Sequence, residues 1–291
     1  MAPLLISNVE YVALRLVRRF VFPERLQGIG RYLPFYRTNL AETEPDHICR
    51  LYVDWLARAC RSVSGKRVAE VGSGATNAVG YALVCAGAVR VWCVEPYVAF
   101  DRKTDGVLLQ QLSRLHNRDP EKIAAAVTRS DSFASIGIGN ADIIFSHSVL
   151  EHVSNLATFF SESSTALANE GVMLHIVDYR DHFFKYPLHF LQFSTRTWQK
   201  YLDPGDLPRW RLRHHRAALE RAGFDVRVLH QDEDPSEFAR IRSHIAADFD
   251  LEDPSLGVLS AVLYCAREGA TIGTSNFHVH GQSLPVQKGG A

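Results

Sequence analysis

Val68-Ala69-Glu70-Val71-Gly72-Ser73-Gly74 is a short apolar run carrying one acid and ended by a glycine turn, and the helically spaced stretch 76–86 follows it. A strand that turns on glycines into a helix places a ligand site at the strand's carboxyl end. Glycine permits the tight turn and lets the backbone approach a bound group with no Cβ between them. The dinucleotide fingerprint GxGxxG needs a glycine three residues after Gly74, where the chain has Asn77; the next glycine is Gly80. Glu70 also suits a diphosphate poorly, because like charges would meet there. It suits a ligand that carries an ammonium group.

Outward from this turn the pattern alternates strand and helix. Strands are read at 67–71, 89–95, 141–146, 171–178, 224–230 and 256–266, with helices at 76–86, 108–118, 120–126, 155–168 and 212–222. Helices of this length between strands imply a parallel sheet with right-handed crossovers, an α/β doubly wound architecture. Upstream, Ile48, Leu51, Tyr52, Trp55, Leu56 and Ala59 mark a helix that begins at Asp46. Residues 4–22 read as a basic amphipathic helix, with Val9, Val12, Leu16 and Phe20 among Arg15, Arg18 and Arg19. Such a helix could lie on a membrane surface or cap a pocket. The simpler reading is preferred: a helix packed on the main domain with a solvated basic edge.

Glu95 ends the second strand after Val-Trp-Cys-Val, where a carboxylate can accept bonds from both hydroxyls of a ribose. Asp131-Ser132 follows the next helix pair, where a carboxylate and a backbone amide can reach an adenine edge. Together these positions resemble the class I S-adenosylmethionine-dependent methyltransferases, over about residues 46–266. The resemblance implies a Rossmann-like seven-stranded sheet with the last strand antiparallel and S-adenosyl-L-methionine as cofactor. It assigns Glu70, Gly72, Ser73 and Gly74 to the amino acid part of the cofactor, Glu95 to the ribose, and Asp131 with Ser132 to the adenine. The chain then divides into a helical segment (1–45), a methyltransferase domain (46–267) with an acceptor lid insert (179–210), and a flexible tail (268–291).

The stretch from Ala141 to Val153 is similar to the fourth strand and following loop of small-molecule methyltransferases, where a VLEHV-like sequence is frequent. Ser146 and His147, at the end of that strand, are assigned to the cofactor pocket. Some quinone-pathway O-methyltransferases carry a further glutamate three residues before the one in LEH, a set linked to metal binding; here that position is Ser148, and no metal site is expected. Glu151 and His152 read as a hydrogen-bonding pair at a helix start. Asp178-Tyr179-Arg180-Asp181-His182, with the aromatics after it, resembles methyltransferases of polysaccharide and natural-product gene clusters. His182, oriented by Asp178 or Asp181, is the candidate base for a hydroxyl acceptor. Phe183, Phe184, Tyr186, Phe190, Phe193 and Trp198 would wall that acceptor from water.

The reaction expected is direct methyl transfer to a hydroxyl of a small-molecule or glycan-like acceptor. Two rivals stand beside it: a nicotinamide-dependent oxidoreductase, against which Asn77 and Glu70 speak, and a non-catalytic partner protein that keeps a cofactor site.

Composition narrows the partners. The 291 residues are 46% hydrophobic and 22% charged, ordinary for a globular chain, and 32 basic residues balance 32 acidic ones. No global field draws in a polyanion, and no nucleic-acid module is present. The run Arg209–Arg216 reads as a solvated helix face. Five cysteines show no CxxC pair, and Cys85, Cys93 and Cys265 lie in apolar runs, as buried thiols of a reducing compartment do. The amino-terminal stretch lacks a basic leader and a small-residue cleavage site, and no apolar run approaches a membrane span, so a cytoplasmic location is expected. The sequence leaves the oligomeric state open.

Overall fold

The computed structural model describes residues 4–21, 44–181, 185–203, 205 and 207–267. In chain order the elements are α1 (Leu4–Leu16) continued by a π-turn (Val17–Val21), α2 (Pro45–Arg58), β1 (Arg67–Val71), α3 (Ala78–Cys85), β2 (Arg90–Val94), α4 (Arg102–His116), α5 (Pro120–Ala125) and β3 (Val127–Ser130). Then follow β4 (Ala141–His147), α6 (Leu156–Ala166), β5 (Leu167–Asp178), a second π-turn (Trp198–Leu202), α7 (Leu212–Arg221), β6 (Phe224–Glu233), α8 (Pro235–Ile241) and β7 (Val258–Arg267).

The seven strands form one sheet in the order β3-β2-β1-β4-β5-β7-β6. β7, last in the chain, enters antiparallel between β5 and β6, while β1 pairs in parallel with β2 and β4. The expected seven strands with the last antiparallel are therefore present. β1, β4 and β5 are covered on both faces, which is why they read as nearly unbroken apolar runs. One strand escapes the sequence pattern. β3 is Val-Thr-Arg-Ser at the sheet edge, and with only Ser130 buried it shows neither an apolar run nor an alternation.

Helices cover both faces. α2, α3, Leu112 of α4 and Ile123 of α5 pack with Val68, Val91, Phe145 and Leu174 on one side; Tyr52 of α2 stacks on Phe145 at 4.4 Å. α6 and α7 pack with Ala69, Ile144, Met173 and Leu263 on the other. A third cluster joins Tyr11 of α1 to Tyr186, Phe190, Trp198, Leu207 and Ile241. Cys85, Cys93 and Cys265 are buried free thiols, as expected.

Two expectations need correction. Arg209, Arg211 and His215 are buried, not on a solvated face. A guanidinium offers five donors in a plane and stacks on aromatic rings, so it can be satisfied inside a protein by loop carbonyls. Arg211 binds the carbonyls of Tyr179 (2.6 Å), Leu256 (2.8 Å) and Val258, and Arg209 those of Phe190 (2.9 Å) and Phe193 (2.7 Å) beside the Trp198 ring. The second correction concerns α1. Among its described side chains Ser7, Tyr11 and Arg15 are buried, and Val9, Leu16 and Phe20 face outward. Polar pairing with Asp181 and His189, joined to packing of the Tyr11 ring, decides which side turns in.

Helix α3 lies close against β2 because Gly80 has no side chain. A Cβ there would sit 2.5 Å from Cys93 Sγ and 3.3 Å from methyls of Val91 and Val127. Gly80→Ala is expected to destabilise the protein by about 1–3 kcal/mol in a urea melt, with Cys93→Ala partly restoring it; an unchanged midpoint would show that this contact carries no strain.

Candidate functional site

The glycine turn after β1 closes because Gly72 and Gly74 hold φ of 82° and 63°, values that β-carbon-bearing residues rarely adopt. A Cβ on Gly72 would also collide with the Val149 side chain. Around this turn lies a row of side chains set by strand register. Glu70 on β1, Cys93 on β2, Arg129 on β3 and Phe145 on β4 are mutual partners and point to one face.

Glu70 is 3% exposed, and its Oε2 has no hydrogen-bond partner. Burial, helped by the neighbouring Glu95 and opposed by Arg129, pushes its carboxyl up to about 8. Glu95 accepts backbone N–H bonds from Gly74 (3.0 Å), Tyr97 (2.9 Å) and Val98 (3.0 Å). Of roughly four lone-pair directions on a carboxylate, three are thus taken. Asp105 of α4 accepts from the Asn77 N–H (2.7 Å) at the start of α3 and from the Tyr81 hydroxyl (2.8 Å).

Arg129 is the residue of this site that the sequence pattern did not disclose. Its guanidinium donates to the carbonyls of Gly74 (2.6 Å) and Val98 (3.0 Å), reaches Ser73 Oγ and Asn77 Oδ1 at 3.4 Å, and lies 5.0 Å from the Phe100 ring centre. Only the pairing of β3 with β2 shows that it meets the turn. Asp131 is exposed, and Ser132 folds back so that its N–H donates to Ser130 Oγ (3.1 Å). Ser146 lies on the opposite face from Glu70, bonded to His175 Nδ1 at 2.7 Å inside the core.

A second polar group stands at the ends of β4 and β5. Burial lowers His147 to about 4, against a raising influence from Asp178. Asp178 accepts from Arg180 through Nε (2.9 Å), Nη2 (2.7 Å) and the backbone N–H (2.9 Å). Glu151 sits in the 3-10 turn Leu150–His152 and is 2% exposed. Its oxygens lie near its own N–H and that of Asp178 without closing a hydrogen bond, and burial holds it well above the carboxylate range. Helix α7 pins this turn from behind. His215 is pushed down to about 3 by burial and is therefore neutral. The Tyr179 hydroxyl donates to its Nδ1 (2.9 Å), its Nε2 donates to the Leu150 carbonyl (3.1 Å), and Trp210 Nε1 donates to the Val153 carbonyl (2.7 Å).

His182 lies outside the described residues. Asp181, its neighbour, is buried and receives Arg15 and the Tyr11 hydroxyl. Among the described residues no group of three or more His, Cys, Asp or Glu is arranged to hold a metal ion. A cleft of about 670 Å³ opens between the start of α6 and α7, lined by Ser154, Asn155, Trp210 and Arg213; it shares no residue with the glycine turn, Glu95 or Arg129.

Glu70 holds its proton in the fold at pH values, up to about 8, where the unfolded chain has lost it, and burial raises Glu151 in the same direction. Folding then takes up protons, so stability falls as pH rises from about 4.5 toward 8. Glu70→Gln should raise Tm at pH 8 by roughly 5 °C and leave it nearly unchanged at pH 5. Thermal melts at the two pH values check this, and equal shifts at both would show that Glu70 is ionised in the fold.

No protein-family model matches this chain, and no curated protein matches it. Solved structures similar to it include phosphoethanolamine N-methyltransferase 2 of Haemonchus contortus with S-adenosyl-L-methionine (14% identity, 87% of this chain and 59% of that one, TM-score 0.46). Others are the YcgJ protein of Bacillus subtilis (14%, 77% and 99%, TM-score 0.44) and an S-adenosylmethionine-dependent methyltransferase of Mesorhizobium loti (16%, 74% and 96%, TM-score 0.41).

Proposed function

We propose that this chain is an S-adenosylmethionine-dependent methyltransferase acting on a hydroxyl of a small-molecule or glycan-like acceptor. The observation that carries this reading is the sign of the charge at the glycine turn. A diphosphate needs free N–H groups at the turn and at the start of the following helix. Here Glu95 takes the Gly74 N–H and Asp105 takes the Asn77 N–H, and Glu70 stands buried beneath them. Such a turn has spent on its own acids the donors that an anion would need, and Glu70, once ionised, accommodates a cation.

The residues fit the proposed cofactor. The partnerless Oε2 of Glu70 suits an ammonium group, and Glu95 keeps one acceptor direction for a ribose hydroxyl. Asp131 is exposed for an exocyclic amine. When bound, the cofactor supplies a methyl group on cationic sulfur, an electrophile that needs no metal. The acceptor half is assigned to the ends of β4 and β5, where His147, Glu151 and the Asp178–Arg180 pair stand, and His182 keeps its assignment as the group that takes the acceptor's proton. Alignment of donor and acceptor can contribute about 7–11 kcal/mol, against about a hundred- to ten-thousand-fold in rate from a base. The pinned turn that carries Glu151 therefore weighs more in this reading than His182.

Titration calorimetry tests it. S-adenosylmethionine and S-adenosylhomocysteine are expected to bind and NADH not, with Glu95→Ala weakening binding about tenfold or more. Pairing an ammonium with Glu70 requires that the carboxyl lose its proton. Affinity should therefore rise between pH 6 and 8 with release of up to about one proton per molecule bound, and Glu70→Gln should abolish that dependence. Binding of NADH alone, indifferent to both substitutions, would replace this reading with an oxidoreductase.

A further inference from the structure

Helix α1 turns Ser7, Tyr11 and Arg15 into the protein, with Val12 half-buried against the third cluster, and leaves an apolar arc facing solvent. Ser7 Oγ meets His189 Nε2 at 3.1 Å, and Tyr11 and Arg15 both engage Asp181. The outward side carries Val9 (64% exposed), Ala13, Leu16, Val17 and Phe20 (61% exposed). At helical spacing Val9, Ala13 and Leu16 fall within an arc of about 60°, and Val17 and Phe20 extend the exposed apolar surface on the π-turn. With Leu14 at one edge they leave on the order of 400 Å² of apolar surface, a size at which a patch on a monomer is often functional.

One edge of the arc is positive and the other carries an ion pair. On one side Arg19 donates to the Asp203 backbone carbonyl, a neutral acceptor, at the end of the π-turn 198–202, where Lys200 and Tyr201 are exposed. On the other, Glu10 is bound by Lys185 (2.7 Å), itself 66% exposed. The arc of a second copy offers the Arg19–Lys200 edge no free acid, since its Glu10 is held by Lys185. The apolar area is also about half of the roughly 800 Å² per partner of a standard protein interface. A bilayer with anionic headgroups meets both requirements, since it takes an apolar arc a few ångströms deep and attracts the basic edge.

We propose that α1 and its π-turn dock this protein on an anionic lipid surface, with the helix axis in the membrane plane and Val9, Leu16 and Phe20 entering the headgroup–acyl boundary. The proposal does not depend on methyl transfer. Its geometry would bring the 185–203 segment, against which α1 packs, to the bilayer.

The full chain is tested by co-sedimentation with vesicles of phosphatidylcholine alone and of phosphatidylcholine with phosphatidylglycerol. Expected is binding to the anionic vesicles that weakens with salt, and a loss of about tenfold or more in the double variant Val9→Asp, Phe20→Asp. Both positions are exposed, so an unchanged Tm confirms that the variant folds. Lys200→Glu should weaken binding while leaving the apolar arc intact. No binding to anionic vesicles, equal binding by the double variant, or a dimer that this variant disperses in the absence of vesicle binding would each overturn the proposal.

Discussion

The turn after β1 is held by charge on both sides of its backbone. Glu95 accepts the Gly74 N–H, Arg129 donates to the Gly74 carbonyl, and Glu70 lies buried beside them with one oxygen left over. The rest of the architecture follows from keeping these three groups adjacent. β3 must pair with β2 so that Arg129 comes into line with Cys93 and Glu70, and α3 must lie close on β2, which Gly80 allows. An unpartnered carboxyl in that setting is costly to bury and persists only in its neutral form or beside a cation. The turn is thus poised for a positively charged ligand at some expense of stability.

The same use of polar groups as interior fasteners recurs away from the turn. Arg211 ties Tyr179 to the loop before β7, and His215 ties Tyr179 to the Leu150–His152 turn. Asp181 ties the end of β5's loop to α1 through Arg15 and Tyr11. Each removes a charge or ring from water, and each supplies the partners that make the removal tolerable. Because α1 is fastened through Tyr11 and Arg15, its exposed apolar arc is left for another surface.

Much of the sheet was legible. Buried parallel strands are apolar throughout, so β1, β2, β4 and β5 announce themselves, and Gly72, Gly74 and Glu70 mark the end of the first. β3 was not legible, because an edge strand of four mostly half-exposed residues has no pattern to read. Arg129 was missed with it. The burial of Arg209, Arg211 and His215 was hidden for a different reason: a basic run looks the same whether it faces water or a set of carbonyls. Helix α1 was legible as a helix and misleading as to its sides, since periodicity reports that two faces differ and not which one is turned inward.

Local chemistry by itself determined the strand, turn and helix around Gly72, the acid placed before it, the acid ending β2, and the alternation that requires a parallel sheet. These depend on residues near in sequence, where sterics and periodicity act directly. Only the tertiary structure decided that Glu95 and Asp105 occupy the turn's N–H groups, that Arg129 stands beside Glu70, that Glu151 is buried without a partner, and that Asp181 belongs to α1. Those are pairings between residues 21 to 170 positions apart, and their partners are chosen by strand order and register, which no local preference encodes.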